Sequence, residues 1–185
     1  KTLFGSSVDG AGDVNGDGYL DLIVGARGYD TEFNVDVGAA YIFYGNESGL
    51  ATSAGWIASS DQPYSGFGIS VAGLGDVNQD GYADVGVGAP RYTDGENQEG
   101  VAFVFRGSNL GTEQNYYWKA GGDKAEADFG YSLSSAGDVN GDGLLVGSPL
   151  FKEENKTVMG KALAYYGIQA ADATTFQIFI PAIIR

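Results

Sequence analysis

A Phe-Gly dipeptide returns at Phe4, Phe67 and Phe129, 63 and then 62 residues apart, and much of the sequence downstream of each copy returns with it. A period of that length marks an architecture of stacked, similar units, none of which buries its apolar surface alone. Each unit runs from Phe-Gly through a small-residue segment to Gly-Asp, at Gly12-Asp13, Gly75-Asp76 and Gly137-Asp138. A polar loop follows. Then comes an apolar run through Gly: Leu22 to Ala26 (LIVGA), Val85 to Pro90 (VGVGAP) and Leu144 to Pro149 (LLVGSP). A Gly-led segment comes next, Gly38 to Gly45, Gly100 to Gly107 and Gly160 to Gly167. A fourth segment lies around Trp56 to Ser60 in the first unit and Tyr116 to Lys119 in the second.

These segments are short, rich in Val, Ile, Tyr and Phe, and bounded by Gly, Asn, Asp and Ser, which is the punctuation of strands. No long stretch carries a 3.6-residue apolar period, so helix content is expected to be low. The runs after the loops are apolar on consecutive residues, as in strands covered on both faces. Four such strands per unit predict an all-β chain of three propeller-type blades. The expected units are 4–66, 67–128 and 129–173, with an apolar tail strand over 174–185.

The polar loop repeats as Asp13-Val14-Asn15-Gly16-Asp17-Gly18-Tyr19-Leu20-Asp21 and Asp76-Val77-Asn78-Gln79-Asp80-Gly81-Tyr82-Ala83-Asp84. Oxygen side chains at positions 1, 3, 5 and 9, with a backbone carbonyl at position 7, suit calcium, which takes six to eight oxygens at roughly 2.3–2.6 Å. Gly at position 6 permits the sharp turn around an ion. Asn-Gly and Asp-Gly also make ordinary strand turns. A turn needs only two such residues, however, and here four acidic or amide side chains alternate. An EF-hand is excluded, because position 12 is Val24 or Val87 and no helix pattern flanks the loop. A dockerin module has much shorter units that continue into helices.

Phe-Gly, then Gly-Asp-Val-Asn-x-Asp-Gly-x-x-Asp, then Val-Gly-Ala-Pro resembles the FG-GAP repeat, which builds the blades of the integrin α-subunit head and of many secreted bacterial proteins. The resemblance covers residues 4 to about 167 and suggests a secreted, bacterial-type member. It implies calcium bound between the first two strands of a blade. The implied ligands are Asp13, Asn15, Asp17 and Asp21 with the Tyr19 carbonyl, and Asp76, Asn78, Asp80 and Asp84 with the Tyr82 carbonyl.

The third loop begins as Asp138-Val139-Asn140-Gly141-Asp142-Gly143 and then stops early. From its first Asp to the Gly of the apolar run is 9 residues, against 12 in the first two units. The position-9 carboxylate is missing. Asp138, Asn140 and Asp142 then form at best a weak third calcium site, unless three residues are absent from the sequence as written.

Net charge is −14, which disfavours nucleic acid as a partner, since phosphate binding needs Lys and Arg. Absence of Cys and His removes thiolate and imidazole chemistry and the usual zinc sites. No apolar run is long enough to cross a membrane as a helix. The chain opens at Lys1 without Met, as expected where a leader or earlier segment has been removed. Calcium loops of this kind suit an extracellular or cell-surface setting. Asn46-Glu47-Ser48 and Asn155-Lys156-Thr157 match the glycosylation acceptor pattern.

No catalytic constellation stands out, so no enzyme activity is expected. Asp94-Glu96-Glu99 and Glu153-Glu154 read as solvated loops. Tyr41, Tyr44, Tyr116 and Tyr117 read either as blade packing or as a protein or carbohydrate contact surface. The expected function is an extracellular calcium-binding adhesion or structural module. The alternatives are a glycan-binding propeller, or a fragment associated with a lyase or hydrolase. Three blades are too few to close a ring, so self-association into a homo-oligomer or filament is expected to cover the exposed faces. The segment Thr174 to Arg185 either forms the outer strand of the third blade or adds to a sheet edge of a neighbouring copy.

Overall fold

The computed structural model describes residues 1–137, 143–152, 160–166 and 176–181. Among these there is no helix, and the strands form three four-stranded antiparallel sheets and one small hairpin. The first sheet orders β1 (Phe4–Gly12), β2 (Asp21–Ala26), β3 (Ala39–Phe43) and β6 (Trp56–Ser59). The hairpin of β4 (Gly45–Asn46) and β5 (Gly49–Leu50) interrupts it. The second sheet holds β7 (Ser70–Gly75), β8 (Asp84–Ala89), β9 (Val101–Phe105) and β10 (Trp118–Gly121). The third holds β11 (Ser132–Ser135), β12 (Gly143–Ser148), β13 (Lys161–Tyr166) and β14 (Phe176–Pro181). First strands lie side by side, β1 against β7 and β7 against β11, so the sheets stack as successive blades of an open propeller.

Of the three apolar runs, the one in the middle blade is covered throughout, as its pattern predicts. Every residue of β8 and of β9 is buried, because the middle blade has a neighbour on each face. One apolar cluster joins blades one and two, with Ile23, Ile42, Trp56, Phe67, Val87 and Phe105 among its members. A second joins blades two and three through Leu74, Val104, Phe129, Leu144, Leu163 and Tyr165. Each fully buried large side chain contributes roughly 1.5–3 kcal/mol, so the stability of the stack resides between blades. The end blades are open. Val8 on β1 is 61% exposed and Leu145 on β12 is 38% exposed, whereas Gly86, which holds the place of Leu145 in the middle blade, is buried.

The tail expected over 174–185 is not a separate arm. Residues Phe176–Pro181 pair with β13 from Lys161↔Pro181 to Tyr166↔Phe176, taking the fourth place of the third sheet. Of the two readings of the tail, the structure shows the outer strand.

The Phe-Gly turn is the clasp between blades. The Ser7 hydroxyl donates to the Gly68 carbonyl at 2.9 Å, and the Ser70 hydroxyl donates to the Gly130 carbonyl at 2.8 Å. Gly68 and Gly130 hold φ of +79° and +81°, which turns their carbonyls towards the preceding blade. A Cβ at Gly25 or Gly88 would collide with those same carbonyl oxygens. The glycines of the apolar runs are therefore where two backbones approach. Gly88→Ala is expected to cost about 3 kcal/mol, the upper range for overpacking, because the obstacle is backbone. Gly10→Ala, whose Cβ would meet nothing within 4 Å, is expected to stay within about 0.5 kcal/mol of wild type. Urea unfolding of the pair checks this, and equal losses would contradict it.

Candidate metal loops

Both complete loops join the first two strands of a blade, β1 to β2 and β7 to β8. A bulge precedes each, between Gly10 and Gly12 and between Gly73 and Gly75. Gly12 and Gly75 have φ of +79° and +77° there, which bends the chain out of the ladder and into the loop.

Inside the loop, side-chain oxygens gather the backbone amides. Asp13 Oδ1 accepts from Gly16 N (2.7 Å) and Asp17 N (3.1 Å), and its Oδ2 accepts from Gly18 N (2.9 Å). Asn15 Oδ1 accepts from Asp17 N at 3.0 Å, while its Nδ2 donates to Asp17 Oδ2 at 2.9 Å. Asp17 Oδ1 accepts from Tyr19 N at 2.9 Å. The second loop repeats this closely. Asp76 takes Asp80 N (3.0 Å) and Gly81 N (2.7 Å), Asn78 takes Asp80 N (2.9 Å), and Asp80 takes Tyr82 N (3.0 Å). Gly18 and Gly81 at position 6 hold φ of +89° and +95°, a region that favours glycine.

Position 9 stands apart. Asp21 is 3% exposed and Asp84 is fully buried. Asp21 Oδ2 accepts from Val14 N and its Oδ1 from Gly45 N, at 2.9 and 2.8 Å. Asp84 accepts from Val77 N and Gly107 N, both at 2.9 Å. This carboxylate pins the start of the loop to the end of the blade's third strand. Sequence reasoning assigned it only to a metal. The available signal was the glycine closing each Gly-led segment, Gly45 and Gly107, at nearly equal distance from the aspartate.

Burial raises the pKa of both aspartates, against the opposing pull of their two backbone hydrogen bonds and with added repulsion from the loop carboxylates. For Asp84, packed in the middle blade, the pKa is pushed up to about 7.

The loops are neighbours. Ala83 N donates to the Asp13 carbonyl and Ser108 N to the Val14 carbonyl, each at 3.0 Å. The Tyr82 ring lies against Gly16. Order in one loop is thus coupled to order in the other through the blade interface.

By donor type each loop fits a hard cation: three carboxylates, one amide oxygen, and spare lone pairs on oxygens that already accept an N–H. By placement it is not a ready cage. Among the described residues no three acidic side chains converge as a ligand set. The loop carboxylates repel one another and turn to the loop's own amides. Asp138, Asn140 and Asp142 lie outside the described residues, as do Glu153, Glu154 and Asn155.

Other residues singled out from sequence fall into structural roles. Glu99 is 3% exposed and accepts from Asp94 N, Glu96 N and Asp123 N, so it organises its loop. Asp94 pairs with Lys119 at 2.7 Å. Tyr41 packs edge-on to Phe4, and the Tyr44 hydroxyl accepts from Thr112 N at 3.2 Å. Arg106 lies over the Tyr117 ring, whereas Tyr116 remains 48% exposed.

An open stack of four-stranded blades, clasped by Phe-Gly turns and carrying Asp-rich loops between first and second strands, defines a propeller-repeat protein. The FG-GAP repeat family model matches residues 4–43 and 67–105, and the chain is an FG-GAP repeat protein. It is 43% identical over 143 residues to integrin alpha-7 of Rattus norvegicus, covering 74% of this chain and 12% of that protein. Identity to integrin alpha-5 of Xenopus laevis is 34% over 159 residues, 80% of this chain and 15% of that protein. Phosphatidylinositol-glycan-specific phospholipase D of Bos taurus is 37% identical over 151 residues, 74% of this chain and 18% of that protein. The chain thus spans less than a fifth of the length of each of these three relatives.

Proposed function

We propose that the chain is an extracellular, calcium-stiffened adhesion-type module without catalytic activity of its own. The observation that carries this is the pair of nearly identical Asp-rich loops, hydrogen-bonded to each other across a blade interface. Asp13, Asn15, Asp17 and Asp21 with the Tyr19 carbonyl would hold one ion, and Asp76, Asn78, Asp80 and Asp84 with the Tyr82 carbonyl a second. Bound calcium supplies charge neutralisation at this crowded face. The similarity to integrin α chains supports the adhesion reading. The phospholipase relative shares the same repeats, but the acidic residues here are taken up by loop architecture. Each unit is taken to run from one Phe-Gly to the next, with β14 counted in the third.

A calorimetric titration tests the proposal. Wild type is expected to take up two ions in its two complete loops, and Asp17→Ala and Asp80→Ala to lose one each. The second loop should also couple calcium to protons. Without the ion, folded Asp84 holds its proton up to about pH 7. The stability it contributes is full below about pH 4 and is lost as pH rises through about 7. Calcium reverses this by favouring the carboxylate. At pH 6 uptake by this loop should release about one proton, seen as a dependence of binding heat on buffer ionisation. No such dependence, or unchanged uptake in both variants, would refute the assignment.

Self-association has one favouring observation. Ser132 and Gly147 repeat the Ser-Gly pair that grips a Phe-Gly turn in the other blades, and Gly5, with φ of +82°, presents such a turn at the opposite end. Head-to-tail contact between copies would extend the stack. Light scattering in calcium should show mass growing with concentration, and Ser132→Ala should weaken it. A concentration-independent monomer would count against this reading.

A further inference from the structure

We propose that the cavity between the outer strands of blades one and two is a binding site for a neutral sugar ring. It is an open recess of about 190 Å³: Tyr92 and the half-exposed Tyr116 form its accessible apolar wall, beside Ala58 and over Phe67, Phe103 and Phe105, which are buried in the blade interface. Four of the ring pairs have centroids 5.4–6.3 Å apart, Phe103 touching Phe67, Tyr92 and Tyr116 and Phe67 touching Phe105. A pocket built for an aliphatic side chain needs no such bias. The exposed face of the Tyr116 ring, with its negative quadrupole, suits the polarised C–H bonds of a pyranose face.

The rest of the lining supplies hydrogen bonds. Ser59, Asp61, Gln114 and Asn115 are all exposed there. The side chains of Ser59 and Asn115 take part in no hydrogen bond among the described residues. A hydroxyl, a carboxylate and carboxamides together offer the donors and acceptors that adjacent sugar hydroxyls need. The net charge of −14 and the Asp61 carboxylate disfavour acidic sugars. The walls are held in place before any ligand arrives. Gln62 exchanges two hydrogen bonds with the Thr93 backbone at 2.9 Å each, and Trp56 Nε1 donates to the Glu113 carbonyl at 3.0 Å. The Asp61 carboxylate lies near the Tyr92 hydroxyl and, with burial as the larger cause, helps raise its pKa. Such preorganisation lowers the cost of binding. A concave site with apolar walls and a few placed polar groups is the ordinary form of a small-ligand site.

This inference deepens the adhesion reading by giving it a ligand class, and the two fail separately. The test uses the full chain in calcium, with gluco-, galacto-, manno- and N-acetylglucosamine oligosaccharides as probes and saturation-transfer NMR as the readout. At least one probe is expected to bind, with transfer strongest at ring C–H protons. Tyr116→Ala and Asn115→Ala should each weaken binding about tenfold, Tyr116→Phe should retain it, and Tyr131→Ala on the third blade should leave it unchanged. Absence of binding by all four series, in protein that calcium still stabilises, overturns the sugar site and spares the calcium module. Binding that survives both Tyr116→Ala and Asn115→Ala also overturns it. So does occupation of the cavity by N-acetylphenylalanine amide with no sugar competing.

Discussion

Chelation of calcium is expected to lower the melting temperature by roughly 10–20 °C. An ion that binds the folded loops and not the unfolded chain stabilises by RT ln(1 + [L]/Kd), ~2.7 kcal/mol per site at a hundredfold excess over Kd. Two sites give about 5 kcal/mol, and 1 kcal/mol shifts the midpoint of a domain of this size by about 2–4 °C. Both loops press on one blade interface through Ala83 N and Ser108 N, so the transition should stay cooperative as it moves. Asp17→Ala and Asp80→Ala should each abolish about half of the shift. In chelator both should melt with wild type, because Asp17 and Asp80 sit on the exposed part of the loop.

Asp84→Ala should behave differently, losing about 3 kcal/mol even without calcium. Its carboxylate is the acceptor for Val77 N and Gly107 N in a fully buried position. Truncation strands two donors, each costing ~1–3 kcal/mol, partly offset by removing a carboxylate that burial already destabilises. Asp84→Asn keeps one acceptor oxygen and should recover about half the loss in chelator. Denaturant unfolding with and without calcium separates the two aspartate classes. If Asp84→Ala matches Asp80→Ala under both conditions, position 9 is a ligand only and not an anchor.

Much of the fold is legible in the sequence, because it is written in local patterns. The Phe-Gly period placed the blades, and the consecutive apolar runs announced strands covered on both faces, as in β8. The loop spacing marked where oxygen donors gather. The features that stayed hidden depend on partners distant in sequence. Nothing near Asp21 says that Gly45 N is its mate, since the pair forms only once β2 and β3 align. The same holds for Glu99, which looks like one acid among several and proves to be the buried acceptor for three backbone amides. The serine two residues after each Phe-Gly, at Ser7, Ser70 and Ser132, repeats in the sequence, but nothing local names its partner. Its role appears only when the next blade brings Gly68 or Gly130 within reach. The tail was ambiguous for a related reason: alternation of Phe176, Ile178 and Ile180 identifies a strand but not the edge it joins.

Hydrogen exchange followed by peptide mass spectrometry tests the central claim most directly. Peptides covering residues 13–21 and 76–84 are compared in calcium and in chelator. If the loops are calcium sites that brace the blade interface, both peptides should exchange at least tenfold more slowly in calcium. Asp17→Ala should remove that protection from the first loop and only part of it from the second. Identical exchange in calcium and chelator would show that these loops are turns and that calcium has no part in this fold.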